Sequence, residues 1–318
     1  MNRNINARNF GLRSRDATRA LITAYQLKGN GYTSNATVKS ALRSFTEYLK
    51  ENYGIKDLRQ IEREHVLSFA SHLNDRFERG EISASTAQNY LSPVNVAMEN
   101  ARLDSKCRVE GVREAGLPTR SGIATQDHSA SKELHQNALQ SVSERLGVQL
   151  TLQRELGLRL KESCLLDAKL ALKQSLTQKR VHIELGTKGG RPRTISIHSP
   201  TQIEALQRAA LLQVTQPSLI PEHQTWAQYQ SHVYRELSSL AIHCHQERHH
   251  YANAMYERLM GAKSPVQSGV AHREHPAYLS QVLGISMDEA KSRDEQVRFS
   301  VAQALGHSRV SITNNYLG

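Results

Sequence analysis

Hydrophobic positions recur at helical spacing along most of this chain. Val38, Leu42, Phe45 and Leu49 fall on one face, then Val66, Phe69 and Leu73, then Ala87, Leu91, Val94 and Met98. These runs predict amphipathic helices between about residues 35 and 103. Gly80 and the hydroxyl-rich Ser83-Ala84-Ser85-Thr86 punctuate the last pair, and a hydroxyl there can accept from the free amides that open the next helix. Periodicity then fades where Gly111, Gly116, Pro118 and Gly122 gather, and resumes with Leu134, Ala138, Val142 and Leu146, stopped by Gly147. One stretch alternates instead: Val181, Ile183 and Leu185, then Ile195 and Ile197, on either side of Gly186-Thr187-Lys188-Gly189-Gly190-Arg191-Pro192-Arg193. Period-two runs around a Gly/Pro-rich turn predict a β-hairpin with a basic tip. The expected fold class is therefore mainly α with a small β-sheet (α+β). A basic arm is expected over residues 1–30, a helical domain over 31–105, a linker over 106–128 and a second domain over 129–318.

A length of 318 residues suits two domains with real cores. Charge narrows the partner. Lysine and arginine total 41 against 30 acidic residues, a net of +11, and both halves of the chain are basic. Such an excess favours a polyanion, nucleic acid above all. An anionic membrane surface is the competing partner, but only 38% of residues are hydrophobic and no run of about 18 apolar residues occurs, so no membrane association is expected. The opening Met1-Asn2-Arg3-Asn4-Ile5-Asn6 lacks the apolar stretch of a secretory signal. Cys107, Cys164 and Cys244 are scattered, which suits a reducing, cytoplasmic setting.

Candidate chemistry sits in five places. Arg159 lies among leucines with Glu162 one turn on, so it is either half of a structural ion pair or a guanidinium fixed to meet a phosphate. Lys188 at the hairpin tip is either an ordinary exposed lysine or a mobile proton donor, with Arg191 and Arg193 as DNA-facing neighbours. His245-Gln246-Glu247-Arg248-His249-His250 is the densest cluster. On a helix His245 and Arg248 share a face and can address one phosphate; on a strand His243 and His245 would point the same way and could hold a divalent metal, as in a metal-dependent tyrosine nickase. His307 follows Leu305-Gly306, and Tyr316 comes nine positions later. A phenol is a poor nucleophile near neutral pH and needs cations and a positioned base. Tyr251 and Tyr256, beside the histidine cluster, are its rivals for that role.

Taken in order, Gly157-Leu158-Arg159 with Glu162, Lys188 in a basic hairpin, His245-x-x-Arg248-His249, Leu305-Gly306-His307 and Tyr316 resemble the tyrosine recombinase (phage integrase) family. Residues 35 to 103, with Ser85-Thr86-Ala87-Gln88-Asn89-Tyr90-Leu91, are similar to the helical core-binding domain that precedes the catalytic domain there. The resemblance implies a C-shaped clamp on duplex DNA, with Arg159, Arg248 and His307 on the scissile phosphate. Tyr316 would form a 3′-phosphotyrosyl link, Lys188 would protonate the leaving oxygen and His245 would assist removal of the tyrosine proton. It implies no cofactor and no metal, a specific double-stranded recombination site, a homotetramer on DNA and an accessory directionality factor. Lys39, Arg43, Thr86 and Asn89 are candidate DNA contacts of the first domain by helix position.

Three departures set further expectations. Arg248 and His307 lie further apart than the family pattern needs, so residues 261–295, rich in Ser, Gly and charge, are expected to be an insertion that adds a partner surface or covers the site. Gln246-Glu247 puts an acid in the histidine box. Only Leu317 and Gly318 follow Tyr316, where relatives carry a tail that docks on a neighbouring subunit, so a different coupling of protomers is expected. A DNA-binding relative without activity is the remaining alternative.

Overall fold

The computed structural model describes residues 3–27 and 35–318. The chain divides into two compact units, Met1–Ser121 and Gly122–Gly318.

The first unit is helical. Residues 3–27, expected as a polar arm, fold into it: Asp16 caps α1 (Ala17–Gln26) by accepting from the Arg19 amide, and Ala20, Leu21 and Ala24 are buried. Residues 1, 2 and 28–34 of the expected arm and domain lie outside the described residues. Helices α2 (Asn35–Tyr53), α3 (Arg63–Glu78) and α4 (Ala84–Arg102) follow the apolar spacing of the sequence. Ser83 caps α4, accepting from the Thr86 amide. Phe45 and Phe69 meet edge to face at 5.1 Å in a core shared with Leu42, Leu73, Val94 and Met98. The expected linker is partly core. Val109 and Leu117 are buried in this unit and flank α5 (Gly111–Ala115).

The second unit opens with α6 (Lys132–Ser141), α7 (Glu144–Leu156), α8 (Leu160–Leu165) and α9 (Ala168–Gln178). Strands β1 (Arg180–Ile183) and β2 (Arg193–Ser196) then pair antiparallel, with Val181 opposite Ile195 and Ile183 opposite Arg193. Their inward residues pack on α7, α9 and α10 (Pro200–Leu212) through Leu152, Leu156, Ala171 and Leu206. Helices α11 (Trp226–Leu237) and α12 (Cys244–Met260) come next.

Residues 261–295, expected as an insertion, are built into the core. They form α13 (Pro265–Ser268), α14 (His275–Leu283) and the start of α15 (Met287–Ala304). Leu279 and Ala290 are fully buried against the Tyr256–Met260 end of α12. The sequence hid this because charged residues cover the outer face of α15, and the segment between Gly261 and Met287 is broken by Gly261, Gly269 and Gly284. The chain closes with a 3₁₀ turn at Val310–Thr313 and α16 (Asn314–Leu317). Among the described residues, no helix is long and apolar enough to cross a membrane.

Candidate active site

Three arginines of the second unit converge on one carboxylate. Helix α7 ends at Gly157 with φ of +61°, a left-handed conformation that suits glycine. A Cβ here would lie 2.3 Å from the Tyr251 ring, so the glycine also permits that ring to seat. The chain then turns at Arg159 into α8, where Glu162 is fully buried. The Glu162 carboxylate accepts from the Arg159 amide and Nη1, both at 2.7 Å, and from Arg193 Nη1 and Nη2 at 2.6 and 2.7 Å. Arg248 Nη1 stands 3.8 Å from the same carboxylate.

Helix C-termini complete the cage. The Gly157 carbonyl, at the end of α7, accepts from Arg248 Nη1 and from Arg193 Nη2. At the end of α15 the Leu305 carbonyl accepts from Arg248 Nη2 and, at 3.5 Å, from Arg159 Nη2, while Ala304 accepts from Arg193 Nε at 2.8 Å. Oxygen atoms at helix C-termini carry partial negative charge and hold cations in place. One carboxylate among three guanidiniums still leaves the cluster net positive. Burial opposes ionisation of Glu162, yet the Arg193 hydrogen bonds and charge, with the Arg159 amide, hold its carboxyl down at about 2. Burial likewise lowers Arg248 to about 10.

Helix α12 supplies the second wall. His243 precedes it as N-cap and His245 lies in its first turn, so the strand that would aim both rings at one metal is not formed. Among the described residues no group of His, Cys, Asp and Glu is arranged to hold a metal ion. Arg248 is fully buried; its Nε lies 3.4 Å from the Tyr316 hydroxyl, which is also 3.4 Å from His245 Nε2. The His249 and His307 rings stand 4.7 and 5.7 Å from the tyrosine ring. His307 Nε2 is buried without a hydrogen-bond partner, a free polar atom on the inner side of the site.

Burial and the neighbouring arginines lower His245 and His307 to about 4. The solvent-facing side of His245 is open, but its inner edge lies against Arg248 and Arg159. His249 is also held near 4, by burial and by His245 and His128. All three rings are therefore neutral at physiological pH, able to accept a proton or a hydrogen bond.

The tyrosine segment is tied down in place. Asn253 Nδ2 donates to the Tyr316 carbonyl at 3.2 Å. Arg298 Nη1 donates to Asn314 Oδ1 and to the Gly318 carbonyl, each at 3.0 Å, while Asp294 holds its Nε. The Ala124 amide donates to the Asn314 carbonyl at 2.8 Å.

Of the residues singled out by sequence, the structure brings Arg159, His245, Arg248, His307 and Tyr316 together. Lys188 is exposed in a 3₁₀ turn at Lys188–Gly190, close enough for its charge to act on His307. Arg191 is exposed beside it. Arg193, expected to face DNA, is a correction. It is buried, because it shares the inward face of β2 with Ile195 and its guanidinium is engaged by Glu162, Gly157 and Ala304. The acid expected beside the site is also elsewhere: Glu247 accepts from Arg154 at 2.8 Å and pairs with His135 at 2.7 Å. Tyr251 is packed on Gly157, and the Tyr256 hydroxyl donates to Asp294. In the first unit Lys39, Arg43 and Asn89 are exposed, Asn89 accepting from Arg120 at 2.8 Å, whereas Thr86 is half-buried with its hydroxyl on Ser83. Sequence reading missed Arg193, Asn253 and Arg298 as parts of the site's support. Asn253 is four residues after His249 and shares its helix face, a signal that was present; Arg298 is hidden in a charged run.

This geometry, three arginines and three histidine rings around one tyrosine, can be set beside known proteins. Residues 116–254 match the family described as Integrase. The Tn1549 transposon integrase, solved in complex with circular intermediate DNA, aligns over 94% of this chain and 95% of its own, with 12% identity and a TM-score of 0.52. The XerH site-specific recombinase, in a post-cleavage complex with its difH substrate, aligns over 95% and 81%, with 16% identity and a TM-score of 0.51. A lambda integrase dimer bound to a core site aligns over 86% and 92%, with 15% identity and a TM-score of 0.51. No curated protein sequence matches the chain. The fold is that of the tyrosine recombinases, and residues 116–254 carry the match to the Integrase family.

Proposed function

We infer that this protein is a site-specific DNA recombinase that cleaves and rejoins duplex DNA through a 3′-phosphotyrosyl intermediate, serving integration or excision of a mobile element. The observation that carries the reading is the Tyr316 hydroxyl, 3.4 Å from both Arg248 Nε and His245 Nε2 beside the free His307 Nε2. Negative charge grows on the non-bridging oxygens as phosphorus becomes five-coordinate, so fixed cations there lower the barrier most. Arg159 and the remaining N–H groups of Arg248 supply that field, and neutral His307 adds a hydrogen bond. Neutral His245 accepts the tyrosine proton as the Oη–P bond forms. Lys188 gives a proton to the 5′ oxygen as the P–O5′ bond breaks. The phosphotyrosyl link conserves the phosphodiester energy, so a second 5′-hydroxyl can reverse the step. The two units are read as a clamp on DNA, which the DNA complexes of the similar recombinases support; the working assembly is read as a homotetramer, with a directionality factor setting the outcome.

The test is covalent capture. The purified chain is incubated in EDTA with nicked duplexes of randomised sequence, and protein–DNA adducts are recovered from a denaturing gel. An adduct that forms in EDTA and is lost in Tyr316→Phe is the expected result. Adducts only with added magnesium or manganese, or persisting in the variant, would overturn the reading.

A further inference from the structure

Arg193 lies below the site and touches none of the reacting groups, yet it joins three of the segments that carry them. It begins β2, directly after the loop that presents Lys188. Its guanidinium makes paired hydrogen bonds at 2.6 and 2.7 Å to Glu162, the carboxylate that holds Arg159. Its Nη2 reaches the Gly157 carbonyl that Arg248 also uses, and its Nε reaches Ala304 just before the His307 turn. At that turn a Cβ on Gly306 would come within 3.0 Å of Arg193 Cδ, so Leu305-Gly306-His307 is seated directly on this side chain. The other foot of the lysine loop is fixed to the same element. A Cβ on Gly186 would lie 2.8 Å from the Lys161 carbonyl group and 2.9 Å from the Glu162 amide nitrogen, so the backbone there rests on the first turn of α8.

Both ends of the loop therefore bear on α8, one through backbone contact and one through the Arg193–Glu162 pair. Between them Gly189 and Gly190 adopt φ of +73° and +68° with open space around them, so the tip has no other anchor of its own. A bidentate guanidinium–carboxylate pair fixes distance and plane together, which a lysine's single ammonium does not. We propose that Arg193 is a positioning residue that clamps the Lys188 loop to Glu162, so that the proton donor is set in place against the carboxylate that already holds Arg159. The inference rests on the recombinase reading for the role of Lys188, while the clamp itself does not.

The test uses the full chain with Arg193→Lys and Arg193→Gln, on the duplex recovered by covalent capture and on the same duplex with sulfur replacing the bridging 5′ oxygen. A thiolate leaves without a proton, so a defect in proton donation disappears on the sulfur substrate, whereas general damage to the site persists on both. Both variants should cleave the oxygen substrate about 100-fold more slowly than wild type and the sulfur substrate within about 5-fold of it, with DNA affinity unchanged. Hydrogen exchange without DNA should show amides of residues 186–192 exchanging at least 10-fold faster in the variants. Equal defects on both substrates, or no defect, would overturn the proposal. So would unchanged exchange, whatever the DNA results. Where Arg193→Gln fails to fold, Arg193→Lys carries the comparison. A wild-type chain that forms no adduct would end the recombinase reading instead, and with it the role of Lys188, leaving exchange to decide the clamp.

Discussion

At the scale of single residues, the site is an exercise in unequal charge. Glu162 is surrounded by Arg159, Arg193 and Arg248, and its removal would leave three cations facing one another in a buried space. Glu162→Gln is expected to cost about 3–5 kcal/mol of unfolding free energy, the usual loss when one member of a buried charge set is deleted; denaturant unfolding of the full chain measures it, and a change below about 1 kcal/mol would mean the arginines disperse without it. The histidines give a second expectation. His245, His249, His250 and His307 are lowered to about 4, by burial foremost, against about 6.5 in an unfolded chain. Between those values the unfolded state binds more protons, so their contribution is complete above pH 6.5 and is lost as pH falls toward 4. Imidazole NMR titration of the DNA-free protein should give midpoints near 4, and stability should drop from pH 7 to pH 5; midpoints near 6.5 would show that burial does not hold these rings neutral below pH 6. That Arg159, His245, Arg248, His307 and Tyr316 would meet was legible in the sequence through the order and spacing of their motifs. Which hairpin arginine points inward was legible too, since Arg193 keeps step with Ile195 and Ile197, but its basic neighbours drew it to the surface reading.

At the scale of elements, four of the five side chains that meet at the site sit near an end, with Arg248 in the second turn of α12: Arg159 at the start of α8, His245 in the first turn of α12, His307 just past α15, Tyr316 in α16. Termini bring free backbone groups with them, and here the carbonyls of α7 and α15 do half the work of holding the arginines. The glycine before Arg159 makes this possible. Gly157→Ala would add a left-handed alanine, about 1–2 kcal/mol, and force its methyl into the Tyr251 ring, about 1–3 kcal/mol more. Thermal unfolding should show a clear loss for Gly157→Ala, and Gly157→Ala/Tyr251→Ala should be less destabilised than the sum of its two single variants. Strict additivity would show that the ring contact is not what the glycine serves. The helices and the hairpin were legible because apolar spacing and alternation are local. The burial of α14 and the start of α15 was not, because α14 is only nine residues long, Ala290 stands in a charged run, and only packing against α12 shows what they do.

At the scale of the whole molecule, charge is the property that spans both units. Each is net basic, and a protein that neutralises phosphates releases counterions, so affinity falls with salt by a slope of about 0.9 per phosphate contacted. This separates residues that meet DNA from residues that merely look as if they should. Lys39 and Arg43 are exposed one turn apart on α2, whereas Arg193 is buried under the site. With a mixed-sequence duplex, the full-length Lys39→Gln/Arg43→Gln variant should bind more weakly, and its plot of log affinity against log salt should be shallower by about 2. Arg193→Lys, equally conspicuous in the sequence, should leave that slope where it is. A double variant with the wild-type slope would take α2 out of the DNA-facing surface, and a reduced slope for Arg193→Lys would mean that the buried cluster opens to the phosphate backbone on binding. The two outcomes point to different surfaces, so one salt titration on three proteins decides whether α2 or the buried cluster meets the phosphate backbone.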